Sequence, residues 1–145
     1  MITVKNTERS CVQRAFDGLI HKCYRGHHAR QRLENEVRVL EHLRIHNCPF
    51  VPRLITIDRA TLSIVQSNCG VAVQTLPDWR LQQLFAALRE FHVEHGDCAL
   101  RNVTYRANDG VFCIVDFELA KILEPNWSCQ LQHLHKEIEH ILSTH

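Results

Sequence analysis

The sequence predicts an α+β fold, in which strands and helices form from separate stretches of the chain. Three observations predict it. Residues 2–24 hold three short runs of strand-forming residues, and Asp17-Gly18, a pair typical of hairpin turns, joins the last two. Residues 29–46 place apolar side chains at helical spacing. Asn108-Asp109-Gly110 separates two further strand-like runs. The order strands, helix, strands, helix, hairpin, helix favours α+β over an alternating parallel sheet.

The strand predictions follow from apolar and β-branched runs between turn signals. The expected strands are residues 2–5, 11–16, 19–24, 51–58, 62–66, 103–105 and 111–115, with a short apolar run at 71–73. The polar stretch 6–10 is expected to turn the chain between the first two strands. Residues 67–70 are expected to end the fifth.

Three helices are predicted from apolar side chains that recur every three or four residues. The first spans residues 29–46 and ends at Asn47-Cys48-Pro49. Its apolar stripe is Leu33, Val37, Leu40 and Leu43. The second, residues 79–94, starts after Pro77-Asp78. Its apolar face is Leu81, Leu84, Phe85, Leu88, Phe91 and His92. The third, residues 130–143, presents Leu131, Leu134, Ile138, Ile141 and Leu142.

The composition excludes several classes of protein. The chain has 145 residues, with 17 Lys and Arg against 16 Asp and Glu, and a net charge of +1. This length suits one domain or two small lobes. The near-zero net charge argues against a protein whose main role is to bind nucleic acid. No run approaches the ~18 apolar residues of a membrane span. Seven scattered cysteines without a C-x-x-C pair, and a start without an apolar signal core, predict reduced thiols in the cytoplasm.

Three oxygen-bearing side chains are expected to meet beside the hairpin at residues 103–115. Asn102 precedes its first strand and Asp116 follows its second, so the hairpin carries both to one sheet edge. An amide oxygen and a carboxylate suit Mg²⁺, which takes few protein ligands and completes its shell with phosphate oxygens and water. Asp97 lies five residues before Asn102. As a nearby carboxylate it can orient a hydroxyl and accept its proton.

These residues form a motif that resembles the protein-kinase superfamily, in which H-R-D-x-x-x-x-N is followed by a hairpin and D-F-G. Here the motif reads H-G-D-C-A-L-R-N at residues 95–102 and D-F-E at 116–118. The H-G-D form is also similar to compact atypical kinases, of the lipopolysaccharide-kinase and RIO types, and to aminoglycoside and choline phosphotransferases. The resemblance implies a kinase-like two-lobe fold, Asp97 as the catalytic carboxylate, and Mg²⁺ on Asn102 and Asp116.

The resemblance also implies a lysine on the third strand and a glutamate on the next helix, which together hold the phosphates of ATP. Lys22, in L-I-H-K-C at residues 19–23, resembles the lysine of the V-A-I-K strand. Glu36 is the expected partner because it leads the apolar run of the helix, and Glu34 and Glu41 remain alternatives.

A hinge after the fifth strand is the implied adenine site, because in the family its backbone binds the adenine edge. The residues expected there are Gln66, Ser67, Asn68 and Cys69. Gln66 is expected at the rear wall of the pocket.

The chain departs from the family pattern in several places. The turn at residues 6–10 has no glycine, so a hydroxyl of Thr7 or Ser10 is the expected substitute for close backbone contact with phosphate. Ala99 stands where serine/threonine kinases have lysine. Arg101, expected among the catalytic residues, resembles the arginine of D-L-A-A-R-N in tyrosine kinases. Glu118 replaces the glycine of D-F-G, and we expect a surface charge there. Were it to face the metal, it would add a ligand.

The stretch after residue 118 leaves no room for the helices that carry a protein substrate in full kinases. The resemblance therefore implies a kinase-like N-lobe at residues 1–75 and a minimal, truncated C-lobe at residues 76–145. The helix at 130–143 is expected to pack beneath the catalytic loop as its base.

The expected function is that of a small atypical protein kinase, which moves the γ-phosphate of ATP to a protein hydroxyl with Mg²⁺. Two alternatives stay open. One is a pseudokinase that binds nucleotide or protein without turnover. The other is a small-molecule phosphotransferase, which needs an acceptor pocket beside Asp97, although no insertion in the sequence is evident to build one. Because so small a C-lobe leaves apolar surface uncovered, a second copy or another protein is the expected partner.

Overall fold

Antiparallel sheets and two α-helices make up the part of the chain that the computed structural model describes, residues 1–123 and 140–141. The α+β class is therefore confirmed. The helix expected at residues 130–143 and the cysteine at 129 lie outside the described residues, apart from His140 and Ile141, which are helical.

A five-stranded antiparallel sheet forms from the first 66 residues. Its strands are β1 (Ile2–Asn6), β2 (Ser10–Arg14), β3 (Ile20–Tyr24), β4 (Leu54–Asp58) and β5 (Ser63–Gln66), in the order β1-β2-β3-β5-β4. The predicted hairpin turn is present between β2 and β3, where the carboxylate of Asp17 accepts the Leu19 N–H at 2.9 Å. The fourth strand begins later than expected, because Pro52 has no N–H to give to a ladder.

Helix α1 (Ala29–Ile45) packs against β3 and β4. All four residues of the predicted stripe are buried, namely Leu33, Val37, Leu40 and Leu43. The helix ends where Asn47 takes a left-handed conformation and the Cys48 N–H binds the Leu43 carbonyl at 2.9 Å. Pro49 follows directly and cannot continue the helix.

The second predicted helix is shorter than expected. Helix α2 spans Asp78–Ala87, and a 3₁₀ turn at Leu88–Phe91 follows it. His92 is left-handed, with φ of 60°, and stops the helical run. Val93 and Glu94 instead pair with Ile122 and Lys121 as strands. This long-range pairing overrides the helical spacing of apolar residues from which the longer helix was predicted.

Two small sheets complete the second half of the chain. The remaining strands are β6 (Val71–Ala72), β7 (Val93–Glu94), β8 (Val103–Arg106), β9 (Val111–Ile114) and β10 (Lys121–Ile122). They pair as β6-β8-β9 and as β7-β10, so the hairpin expected around Asn108-Asp109-Gly110 is confirmed.

A single apolar core joins the two halves. It combines Leu33, Leu40 and Ile64 from the first half with Leu88, Ile114 and Phe117 from the second. Within the described ranges, neither helix is long and apolar enough to cross a bilayer. The six cysteines of these ranges form no disulfide with one another.

Candidate active site

A buried ion pair joins the five-stranded sheet to helix α1. Lys22 Nζ lies 2.7 Å from Glu36 Oε1, and the two side chains are 3% and 1% exposed. The pairing expected from the sequence is therefore formed. Glu34 and Glu41, the alternative partners, instead bind arginines at the protein surface. Because an unpaired buried charge is costly, this ion pair holds Lys22 in one position.

Both oxygens of the Glu36 carboxylate are occupied. The Tyr24 hydroxyl donates to Oε1, which also accepts from Lys22. The backbone N–H of Phe117 donates to Oε2 at 2.7 Å. One side chain thus connects strand β3, helix α1 and the segment that follows β9. Burial, together with the nearby Glu36 carboxylate, raises the pKa of the Tyr24 hydroxyl, so the hydroxyl keeps its proton.

Asp116 follows β9 in a left-handed conformation, with φ of 67°. Aspartate tolerates this region better than most residues. The Asp116 carboxylate contacts two ammonium groups, Lys22 Nζ at 3.1 Å and Lys5 Nζ at 3.2 Å. The next side chain, Phe117, is fully buried in the core. The Asp116 carboxylate therefore contacts the lysines, while the side chain of the next residue, Phe117, packs in the core.

The groups around Lys22 and Asp116 shift the pKa values of both side chains toward their charged forms. Burial alone lowers the pKa of Lys22, but the carboxylates of Glu36, Asp116 and Glu118 outweigh burial and hold the pKa above its ordinary value. Burial alone raises the pKa of Asp116, but the charge of Lys22, a hydrogen bond with Glu118 and the charge of Lys5 together hold it below its ordinary value. Asp116 is therefore ionised, the form in which a carboxylate binds a divalent cation.

Glu118 is not the surface charge that the sequence led us to expect. It is 7% exposed, and its carboxylate lies 2.8 Å from Arg32 Nη1 and 3.6 Å from Lys22 Nζ. Burial raises the pKa of Glu118, and the charge of Asp116 raises it further against the opposing effect of Lys22. A glutamate fits the third position of the motif because the left-handed residue is Asp116. The prediction missed Arg32, since an arginine in a helix is usually a solvated one.

Asp97, Arg101 and Asn102 form a second cluster, in the loop before β8. Arg101 Nη2 donates to both oxygens of the Asp97 carboxylate, each at 2.7 Å. The Asn102 side chain is buried, and its Nδ2 donates to the Asp97 carbonyl at 2.9 Å and to Oδ2 at 3.0 Å. The Asn102 backbone carbonyl also accepts the Val115 N–H at 2.9 Å, which ties this loop to the residue before Asp116.

The buried side chain of His95 supports the same loop from the protein interior. Its ring packs between Phe85 and Phe117, with centroid separations of 5.0 and 5.1 Å. Nδ1 accepts the Asp97 N–H at 3.2 Å, so the ring proton is on Nε2 and donates to the Val115 carbonyl at 2.9 Å. The histidine of the H-G-D motif is therefore a positioning residue that fixes the backbone of Asp97.

Gly96, the middle residue of the motif, is required by the backbone. Its φ is +86°, and a Cβ there would lie 2.5 Å from the carbonyl oxygen of Leu119. We expect Gly96→Ala to lower the free energy of unfolding by about 2–4 kcal/mol, measured by urea denaturation, from backbone strain plus the steric clash. Gly18→Ala is the matched control, because Gly18 has φ of +85° and no atom within 4 Å of its Cβ position. Equal losses in the two variants would contradict the close approach.

Two cavities meet at Asp116. The larger, about 570 Å³, lies between the five-stranded sheet and the second half of the chain. Its lining includes Lys22, Gln66, Asn102 and Asp116. The smaller, about 400 Å³, is bounded by the β1–β2 turn and includes Asp97. Lys5, Arg101 and Asp116 line both. The two cavities therefore lie side by side, with Lys5, Arg101 and Asp116 between them.

Lys5 is a site residue that the sequence reasoning missed. A β-bulge in β1 explains its placement, because the register with β2 shifts between Thr3 and Lys5 and sets Lys5 opposite Val12. In a regular ladder Lys5 would face away from the cavity, since neighbouring side chains alternate between sheet faces. A bulge leaves no clear signal in a five-residue strand.

The predicted hinge lines the cavity only in part. Gln66 and Asn68 are among its lining residues, whereas Ser67 and Cys69 are not. Ser67 instead pairs with Arg53, donating its N–H to the Arg53 carbonyl and accepting the Arg53 N–H on its hydroxyl, both at 2.9 Å. The Cys69 carbonyl accepts the Thr104 hydroxyl at 2.6 Å. Ser67 and Cys69 therefore lie outside the lining of this cavity, and their polar groups bind Arg53 and Thr104 instead.

The two hydroxyls expected to substitute for glycine both line the smaller cavity. Thr7 Oγ1 accepts the N–H groups of Arg9 and Ser10, each at 3.2 Å, so it shapes the β1–β2 turn. Ser10 Oγ is buried and has no hydrogen-bond partner among the described residues.

Among the described residues, no group of three or more His, Cys, Asp or Glu side chains is arranged to hold a metal ion. The predicted pair, Asn102 and Asp116, lines the larger cavity. Asn102 directs its amide nitrogen toward Asp97, which leaves the amide oxygen as the available ligand atom, and Asp116 is ionised. Two hard oxygen donors fit Mg²⁺ that is bound mainly through phosphate and water.

No protein-family model matches the chain, and no curated protein sequence matches it.

Proposed function

We propose that the chain is a compact, kinase-like phosphotransferase that moves the γ-phosphate of ATP to a hydroxyl group with the help of Mg²⁺. A single observation carries the proposal. Lys22, held by Glu36, lies in one continuous space with the oxygen donors Asn102 and Asp116, and this space opens beside the carboxylate of Asp97.

The larger cavity is the proposed nucleotide site. The ammonium groups of Lys22 and Lys5 border its charged end and would contact the phosphates. Asn102 and Asp116 would hold Mg²⁺, which when bound neutralises charge on the transferred phosphate. The chain itself supplies position and charge, which account for most of the catalysis in phosphoryl transfer.

Asp97 is the proposed acceptor-side residue. His95 and Asn102 fix its backbone and carboxylate, so it can orient a hydroxyl group and take its proton. Arg101 donates to both oxygens of the Asp97 carboxylate, and the Arg101 side chain is largely exposed. An acceptor would replace one of these hydrogen bonds on binding.

A two-lobe reading of the fold accompanies this proposal. The five-stranded sheet with α1 would be the N-lobe of residues 1–75. The α2 helix, the H-G-D loop and the β8–β9 hairpin would be the minimal C-lobe of residues 76–145. The position of the larger cavity between these two halves supports this division.

Nucleotide binding is the first test. We expect ATP with Mg²⁺, at a hundred times its dissociation constant, to raise the melting temperature by about 5–10 °C, because binding to the folded state alone adds about 2.7 kcal/mol. ATP with EDTA should give a smaller shift. The absence of a shift with any nucleoside triphosphate, with or without Mg²⁺, would contradict the proposal.

The acceptor class remains a choice between two candidates. A protein acceptor is the first. A small molecule gains support from the cavity of about 400 Å³ beside Asp97, which the β1–β2 turn and Arg101 build without any insertion. Transfer of ³²P from ATP to the chain itself, to generic peptides and to small hydroxyl compounds separates them. Nucleotide binding without transfer to any acceptor would indicate a pseudokinase. The Arg101–Asp97 contact and the absence of glycine from the β1–β2 turn favour this alternative.

A further inference from the structure

One polar side chain in the larger cavity has no partner. Gln66 is 6% exposed, and its Oε1 has no hydrogen bond among the described residues. Leaving a buried acceptor unsatisfied is costly, so such groups commonly have a function. Two other polar lining groups are occupied. Asn68 Oδ1 accepts the Gly70 N–H at 2.8 Å, and the Thr104 hydroxyl donates to the Cys69 carbonyl at 2.6 Å.

The register of the sheet locates Gln66 relative to the charged end of the cavity. Gln66 pairs with Ile20, and two residues further along the same strand Lys22 pairs with Ile64. Side chains two residues apart share a sheet face, so Gln66 and Lys22 border the cavity from the same side, separated by about 7 Å along the strand. The lining also contains a set of apolar side chains, and one further cation, Arg14, which pairs with Ile20 on the neighbouring strand. The apolar members are Val4, Val12, Ile20, Val71 and Ala72.

The cavity combines an apolar part with a charged end, as a nucleotide combines a flat base with charged phosphates. An apolar slot suits the faces of a flat base, and the charged end suits phosphates. We propose that the side-chain amide of Gln66 recognises the base and makes the site selective for adenine. The inference rests on the proposed nucleotide site and deepens it, because it names the residue that chooses the base.

The chemistry of the amide favours adenine. A glutamine can accept a hydrogen from the exocyclic amino group of adenine while it donates to the neighbouring ring nitrogen. Guanine presents two acceptors at the corresponding edge, which suit arginine or lysine. A guanine in this position would therefore leave the glutamine oxygen without a donor, and the penalty of the buried acceptor would remain.

The test compares three nucleotides in three proteins. Dissociation constants are measured by calorimetry, with Mg²⁺, for ATP, GTP and purine riboside triphosphate, which lacks the amino group. The proteins are the unmodified chain, Gln66→Leu, and the control Gln82→Leu, in which an exposed glutamine of α2 is changed in the same way.

We expect the unmodified chain and Gln82→Leu to bind ATP at least about 10-fold more tightly than GTP and about 5-fold more tightly than the purine analogue. Gln66→Leu should bind the three within about 3-fold of one another, because it keeps the volume and loses the amide.

Each contrary result points to a different failure. If the folded chain binds none of the three nucleotides, the proposed function is wrong. If it binds ATP but Gln66→Leu keeps the preference of the unmodified chain, only the role of Gln66 is wrong. Should Gln66→Leu fail to fold, the unmodified chain still decides, because equal affinity for ATP and the purine analogue would overturn the inference.

Discussion

Replacing Glu36 by leucine is expected to lower the free energy of unfolding by about 3–5 kcal/mol, because the change leaves buried hydrogen-bond donors without their acceptor. The Lys22 ammonium, the Tyr24 hydroxyl and the Phe117 N–H all donate to this carboxylate. Lys22 keeps weaker contacts with Asp116 and Glu118, which do not replace its closest partner. Urea denaturation followed by circular dichroism measures the loss.

Glu41→Leu is the matched control, because Glu41 lies on the same helix and pairs with Arg44 at the surface. We expect its unfolding midpoint to stay close to that of the unmodified chain. The double variant Lys22→Met with Glu36→Leu should recover part of the lost stability, since it removes the stranded charge. A Glu36→Leu protein as stable as Glu41→Leu would show that the Glu36 carboxylate and its three donors contribute little to stability.

The largest effects on activity are expected from Asp97→Asn and Asp116→Asn. Both changes keep the shape of the side chain, and asparagine also tolerates the left-handed backbone of Asp116. We expect Asp97→Asn to reduce the rate of phosphate transfer about 10²–10⁴-fold, the usual contribution of a positioned base, while nucleotide affinity stays nearly unchanged. Asp116→Asn should lower the transfer rate to a comparable degree and remove the Mg²⁺ dependence of nucleotide binding.

Single-turnover transfer of ³²P, together with thermal shifts with and without Mg²⁺, measures both effects. Asp78→Asn, at the exposed start of α2, controls for the loss of a carboxylate. Transfer that survives both substitutions would remove Asp97 and Asp116 from the mechanism. A Mg²⁺-dependent shift that persists in Asp116→Asn would place the metal ligands elsewhere.

Local patterns were enough to predict most elements. The stripe of α1 is buried as its spacing requires, and Asn108-Asp109-Gly110 turns the β8–β9 hairpin. The Lys22–Glu36 pair was expected from the resemblance to the kinase pattern, with Glu34 and Glu41 as alternatives, and the structure forms it.

Features that depend on distant parts of the chain could not be predicted. Helix α2 ends early because Val93 pairs with Ile122, a residue in a separate part of the sequence. Glu118 is buried because Arg32 reaches it from another element. Lys5 faces the cavity only because a bulge changes the register of β1. The first two outcomes are set by contacts between distant parts of the chain, and the third by a local bulge that leaves no clear signal in a short strand.

The ionic cluster at the meeting point of the two cavities is formally electroneutral. Contacts of 2.7–3.6 Å link three cations to three carboxylates, Lys5, Lys22 and Arg32 with Glu36, Asp116 and Glu118. These six side chains therefore supply no net charge of their own to balance a bare polyanion. The negative charge of a bound triphosphate would then be balanced mainly by its own divalent cation. We therefore expect the triphosphate and the cation to enter the site together, as one preassembled complex.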